Sequence, residues 1–115
     1  MTPDEMDAIV MAFPMAEKGV SYGAPAYKVN GKFFTRLRKD DASMVLMEVS
    51  FDEREMLMEA EPEVFHITAH YKNYPAVLAR LDTVDPGAVK RFLERRWREC
   101  APKKFLKTWD AAQAG

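Results

Sequence analysis

Apolar residues recur at Met6, Ile9, Val10 and Phe13, the i, i+3, i+4, i+7 spacing of one helix face. Thr2-Pro3-Asp4-Glu5 ahead of them reads as a capping box with proline in the first turn, and Pro14 ends the element at Phe13. Between residues 17 and 49 the pattern shifts to strands. Val20 and Tyr22 suggest a short strand that Gly23-Ala24-Pro25 breaks. Asn30-Gly31 then separates two β-prone runs, Ala26 to Val29 and Lys32 to Leu37. This is the strongest short hairpin signal, because a type I′ turn needs positive φ twice. Lys39 to Ala42 form a second turn, and Ser43 to Val49 a long strand. Met44, Val45, Leu46, Met47 and Val49 barely alternate, so that strand is predicted to be central, with both faces covered.

Ser50-Phe51-Asp52-Glu53 is a second capping box, opening a helix to about Ala60 with Met56, Leu57 and Ala60 inward; Pro62 stops it. Val64 to Ala69 and Tyr74 to Leu81 read as two strands joined by a polar link at Tyr71-Lys72-Asn73. Asp85-Pro86 supplies a cap and first-turn proline for a long helix lined on one side by Val89, Phe92, Leu93, Trp97 and Cys100. Pro102 breaks it, and Phe105, Leu106 and Trp109 mark a short amphipathic tail. Early hairpins without βαβ alternation predict an α+β fold. Its mainly antiparallel β-sheet carries an N-terminal helix, a middle helix and a long C-terminal helix, in one domain over residues 1–115.

Composition narrows the classes. The 115 residues are 48% hydrophobic, enough for one core. Net charge is −1, which excludes a strongly basic nucleic-acid tail and an acidic disordered segment. A single cysteine excludes an internal disulfide framework and a thiolate-rich zinc site. Apolar runs are too short to span a bilayer, and acids stand near the N-terminus where a signal peptide would be basic. The expectation is a soluble protein of a reducing cytoplasm.

Catalytic chemistry is sparse. His66 and His70 would lie about 13 Å apart along an extended strand, too far for one metal. No acid or cysteine nearby in sequence completes a ligand set, so surface or hydrogen-bonded histidines are the plainer reading. Cys100 sits on an apolar stripe at a helix C-terminus, where the dipole opposes a thiolate, and reads as structural despite Arg96, Lys103 and Lys104 nearby. The serines lack a nucleophile context, no glycine-rich phosphate loop occurs, and the acids from Glu48 to Glu63 read as solvated surface. Catalytic residues, cofactors and metals are expected to be absent.

Charge is nonetheless segregated. Glu48 to Glu63 contains seven acids and one base, a net of −6, whereas Lys90 to Lys107 contains eight bases and two acids, a net of +6. Arg91, Arg95 and Arg98 fall at i, i+4, i+7, a stripe away from Phe92 and Leu93. Such a stripe suits phosphate contacts, and it equally suits a solvent-facing amphipathic helix with basic residues favoured at its C-terminal end.

The run Gly23-Ala24-Pro25-Ala26-Tyr27-Lys28-Val29-Asn30-Gly31-Lys32-Phe33-Phe34 resembles the G-x-P-x-[FY]-x-V-x-G-K-x-F signature of the MmcQ/YjbR family. Glu61-Pro62-Glu63-Val64-Phe65, His70-Tyr71 with Tyr74-Pro75-Ala76-Val77-Leu78-Ala79-Arg80-Leu81, and Trp97 followed by Ala101-Pro102-Lys103-Lys104 resemble its later segments, in order, over residues 5 to 107. The resemblance implies a compact α+β domain of the frataxin-type CyaY kind. It also implies DNA binding through a proposed double-wing motif, with no defined catalytic residues to carry over. Physically, Gly23 and Pro25 shape a turn, while Tyr27, Val29 and Phe34 pack. Lys32 and Arg80 have no packing role, so they are read as an anion contact or, more plainly, as ion pairs with an acid such as Glu48.

The leading expectation is therefore a non-catalytic DNA-binding domain. Its contacts would be Lys32, Arg36, Arg38, Arg91, Arg95, Arg98, Lys103 and Lys104, with Lys28 added from the hairpin wings. The alternative is a protein-interaction module that joins a second copy or an acidic protein through the acidic and basic segments. A pocket near His66, His70 and Lys32 serving an enzyme or ligand-binding protein has the least support.

Overall fold

The computed structural model describes residues 1–114. Six strands form one antiparallel sheet in the order β1-β2-β3-β4-β6-β5, comprising β1 (Ala16–Ser21), β2 (Ala24–Val29), β3 (Lys32–Arg38), β4 (Ser43–Met47), β5 (Phe65–His66) and β6 (Ala76–Arg80). Four helices accompany it: α1 (Pro3–Met11), α2 (Phe51–Ala60), α3 (Pro86–Cys100) and α4 (Lys103–Ala114). The α+β expectation holds. None of these helices is long and apolar enough to cross a membrane.

Local signals explain most of the elements. Thr2 and Glu5 close the capping box of α1, which buries Met6 and Val10. Asp85 caps α3 through the Ala88 amide, and all five residues assigned to its apolar stripe are buried. Asn30 and Gly31 take φ of 53° and 73°, the paired positive values of a type I′ turn. The Asn30 side chain also donates to the Cys100 carbonyl, so the hairpin tip docks on the end of α3. β4 is central, with Met44 and Leu46 in the main core and Val45 in a smaller cluster on the opposite face.

Several expectations fail for identifiable reasons. The first strand does end here, but at Tyr22-Gly23 alone and not across Gly23-Ala24-Pro25. Tyr22 and Gly23 (φ 53° and 73°) make a second two-residue turn, and Pro25 sits inside β2 opposite Val20. Pairing of β2 with β3 starts only at Ala26, so that side of the ladder loses nothing to proline's missing N–H. The long strand ends at Met47, because Glu48 turns to φ 61°. Val64 to Ala69 shrinks to the two residues of β5, and Ile67 and Thr68 run irregularly into a 3₁₀ turn at Ala69–Tyr71. Tyr74 to Leu81 likewise contracts to β6. The tail after Pro102 is a full helix, α4, whose Phe105 and Trp109 pack against the Trp97 ring.

The largest departure is in α2. Ser50 caps it through the Glu53 amide, but the Glu53 carboxylate goes to Arg95 instead of closing the box. Met56 and Ala60 face solvent rather than the core, and the one buried residue is Arg54. Its guanidinium donates to the carbonyls of Tyr71 (3.3 Å), Lys72 (3.0 Å), Tyr74 (3.1 Å) and Ala76 (3.4 Å). A buried cation is tolerated only with such a set of acceptors. Arg54 thereby holds the irregular segment between β5 and β6 in place.

Candidate nucleic-acid interface

α1 and α3 cover one face of the sheet with the main core, whereas the other face carries only the small cluster of Val45, Tyr71, Ala76 and Leu78, flanked by Phe33 and Met47. The 3₁₀ turn lies against this second face, leaving its β1–β3 side uncovered. Lys28 stands opposite Phe33 in the β2–β3 register and shares that face. Arg36 projects there too, its Nε donating to the Tyr71 hydroxyl at 3.0 Å. The same guanidinium lies 5.2 Å from the centroid of the Tyr22 ring. Among the described residues no hydrogen bond engages its two terminal nitrogens.

Aromatic rings cluster around Arg36. Tyr22 is 89% exposed at the tip of the β1–β2 turn. The His70 ring lies near-parallel to Tyr74 (6.0 Å, 29°) and edge-on to Tyr71 (4.7 Å, 84°). Two shallow clefts meet here. One, of about 320 Å³, is lined by Tyr22, Phe33, Arg36, Met47, Tyr71 and Tyr74 among others. The second, of about 280 Å³, adds Arg38, Lys39 and Asp40, and shares Tyr22, Arg36 and His70 with the first.

The arginine stripe of α3 meets a different fate. Arg95 pairs with Glu53 (2.7 Å) and also donates to the Glu48 carbonyl. Arg98 is bidentate to Asp110, which holds that carboxyl below its usual range, and lies 3.6 Å from Glu94. Arg91 alone of the three has no carboxylate partner among the described residues. The expected Glu48 pairs with Lys32 and Arg80 are absent: Glu48 binds Arg96 at 2.7 Å, and Arg80 donates to the Pro62 carbonyl. Arg96 also donates twice to the Phe33 carbonyl, tying α3 to β3. Lys32, opposite buried Val29, points to the helix-covered side, away from Arg36. Lys103 and Lys104 are exposed at the start of α4. The structure thus brings Lys28, Arg36 and Arg38 to one face and separates them from the other predicted contacts.

A model of the YjbR family matches residues 11–99. The chain belongs to the YjbR family. No curated protein matches it significantly.

Within this YjbR-family domain the signature residues divide by role. Gly23 and Gly31 supply positive φ at the two hairpin turns, and Tyr27, Val29 and Phe34 are core. Tyr27 also donates to Asp7 at 2.7 Å, and burial pushes its hydroxyl pKa up. His70, Tyr71 and Tyr74, from the later segment, form the aromatic wall beside Arg36. The hydrophobic pattern assigns Tyr22 and Tyr74 to strands and Tyr71 to a link, and marks none of them as a site residue. The signal for Tyr22 was available, since Tyr-Gly between two β-prone runs parallels Asn-Gly, but the following proline masked it.

His66 and His70 share no site. His66 Nε2 lies 2.9 Å from Ser43 Oγ and 3.6 Å from Asp41 Oδ2. A relay of nucleophile, base and acid needs hydroxyl and carboxylate at opposite ring nitrogens, whereas here both meet Nε2. Among the described residues no group of three or more His, Cys, Asp or Glu is placed to hold a metal. Cys100 is buried, and burial pushes its thiol pKa up.

Burial, reinforced by Arg80 and Arg38 and opposed by Asp41, lowers the His66 pKa. The unfolded chain therefore takes up this proton first, below a pH of about 6.5. His66 should contribute a loss of stability as pH falls from about 6.5 to its folded pKa, worth less than one proton. Urea unfolding across pH 7 to 5 should show a flatter dependence in His66→Gln than in the native chain.

Proposed function

We propose that this domain binds DNA without catalysis, through the uncovered sheet face rather than through α3. The observation that supports this is where unpaired positive charge lies beside exposed aromatic rings. Lys28, Arg36 and Lys39 have no carboxylate partner among the described residues, and Arg38 has only long ones, 3.8 Å to Asp40 and to Asp41. On α3, Arg95, Arg96 and Arg98 are engaged by Glu53, Glu48 and Asp110. Lys90, Arg91 and the lysines of α4 have no carboxylate partner among the described residues, but it is beside Arg36 that the ring cluster of Tyr22, His70, Tyr71 and Tyr74 stands. Two of those pairs, Arg95–Glu53 and Arg96–Glu48, join the acidic and basic segments within one chain, which reduces what either can offer to a second copy.

Three phosphate contacts from Lys28, Arg36 and Lys39 give a log–log salt dependence of about −2.7 on duplex or about −2.1 on a single strand. Fluorescence anisotropy with labelled DNA at low salt should show binding that weakens with this slope. The triple variant Lys28→Gln, Arg36→Gln, Lys39→Gln should lose at least about tenfold in affinity, whereas Arg91→Gln should change it less than twofold. Failure of single- and double-stranded probes alike to bind at 50 mM salt, about the lowest ionic strength such assays use, would falsify the reading.

A further inference from the structure

Resting on the DNA reading above, we infer that the uncovered face selects single-stranded DNA, stacking unpaired bases on Tyr22 and on the His70–Tyr74 pair while Arg36 contacts the phosphate between them. Three observations converge.

The first is the placement of Tyr22. A type I′ turn favours Asn, Asp or Gly at its first central position, as at Asn30 in the neighbouring hairpin. Tyrosine there adopts φ 53° against its own preference and leaves its ring 89% exposed. Apart from the Arg36 guanidinium over it, the ring is left to solvent, and a large exposed side chain on a strained backbone is a candidate ligand contact.

The second is the arrangement of rings and charge. Tyr74 is 49% exposed and backed by His70, and it lines one cleft together with Tyr22 and Arg36. Arg36 is fixed by the Tyr71 hydroxyl yet keeps two nitrogens for an anion. Alternation of stacking surface and cation is how single strands are held irrespective of sequence, since every base has a π-face. In a duplex those faces are already stacked, and exposing one costs a few kcal/mol.

The third is the cleft that joins them. Phe33 and Met47 line it with Tyr22, Tyr71 and Tyr74, giving unpaired bases an apolar surface that takes them out of water.

Anisotropy titrations at 50 mM salt, low enough to keep phosphate contacts strong, should compare labelled dT15, a duplex of the same length and U15. The expected result is dT15 bound at least about tenfold more tightly than the duplex and no more weakly than U15. Tyr22→Asn should weaken dT15 binding about tenfold, since one stacked base is lost, while unfolding at the same or higher urea concentration because asparagine suits the turn. Tyr22→Phe should retain binding. Arg36→Gln should flatten the salt slope by about 0.7. Duplex bound as tightly as dT15, Tyr22→Asn binding like the native chain, or U15 preferred would each overturn this inference and leave DNA binding standing. No binding to any probe removes both.

Discussion

Trp97→Ala is expected to destabilise the domain by about 4 kcal/mol. Trp97 is among the largest fully buried side chains, and it joins three elements that otherwise touch little. Its ring meets Phe13 beyond the end of α1 at 6.0 Å, and Phe105 and Trp109 of α4 at 6.2 and 5.6 Å. The indole Nε1 donates to the Pro14 carbonyl at 3.0 Å. Alanine removes the transferred apolar area, leaves a cavity and orphans that carbonyl, three costs of the same sign. Because α4 has no buried residue of its own, it should loosen before the sheet does. Urea unfolding followed by circular dichroism measures the total, and amide exchange should show the Lys103–Ala114 amides losing protection first. Trp97→Phe, which keeps a ring but not the N–H, should lose about half as much. A shift under about 1 kcal/mol in the alanine variant would mean that the three-helix junction is not what holds α4.

Arg54→Met should lower stability by about 3 kcal/mol although it replaces a charge with an apolar chain of similar length. Normally a buried charge is a poor source of stability, and an apolar replacement is often neutral. Here the partners are four backbone carbonyls that cannot be exchanged along with the arginine, and although those of Tyr71 and Tyr74 each keep a main-chain donor, all four lose the guanidinium. Arg54→Lys keeps the charge but concentrates its donors at one point, and should recover only part of the loss. The effect should also reach the candidate interface. Residues 71–76 carry Tyr71 and Tyr74, so releasing them should weaken dT15 binding more than the Arg91→Gln control does, at a urea concentration where both variants remain folded. Native affinity in a folded Arg54→Met would show that the aromatic wall keeps its shape without this clamp.

Arg54 also shows why part of the molecule could not be read in advance. It sits among acids in a helix whose Met56 and Ala60 look like the inward positions. Its acceptors lie 17 to 22 residues away and are main-chain oxygens, which every residue carries and no sequence pattern marks. Glu48 posed the same difficulty. Lys32 and Arg80 are its expected partners by charge, and only the packing of α3 over β3 and β4 brings Arg96 to it instead. The candidate interface was half legible: Arg36 and Arg38 were named, but the rings that give Arg36 its setting come from positions 22 and 70–74. Those rings meet only once the β1–β2 hairpin and the 3₁₀ turn fold toward the same face.

Features governed by neighbours in the chain were therefore already present in the sequence. The caps of α1 and α3, the Asn30-Gly31 turn and the doubly covered central strand each depend on a few adjacent residues or on one hydrophobic period. The distribution of free charge did not follow that rule. A net of +6 between Lys90 and Lys107 suggested an open basic stripe, yet Glu53, Glu48 and Asp110 fold onto it. Coulomb interactions fall with distance in space rather than along the chain, so only the tertiary structure decided which cations remain available.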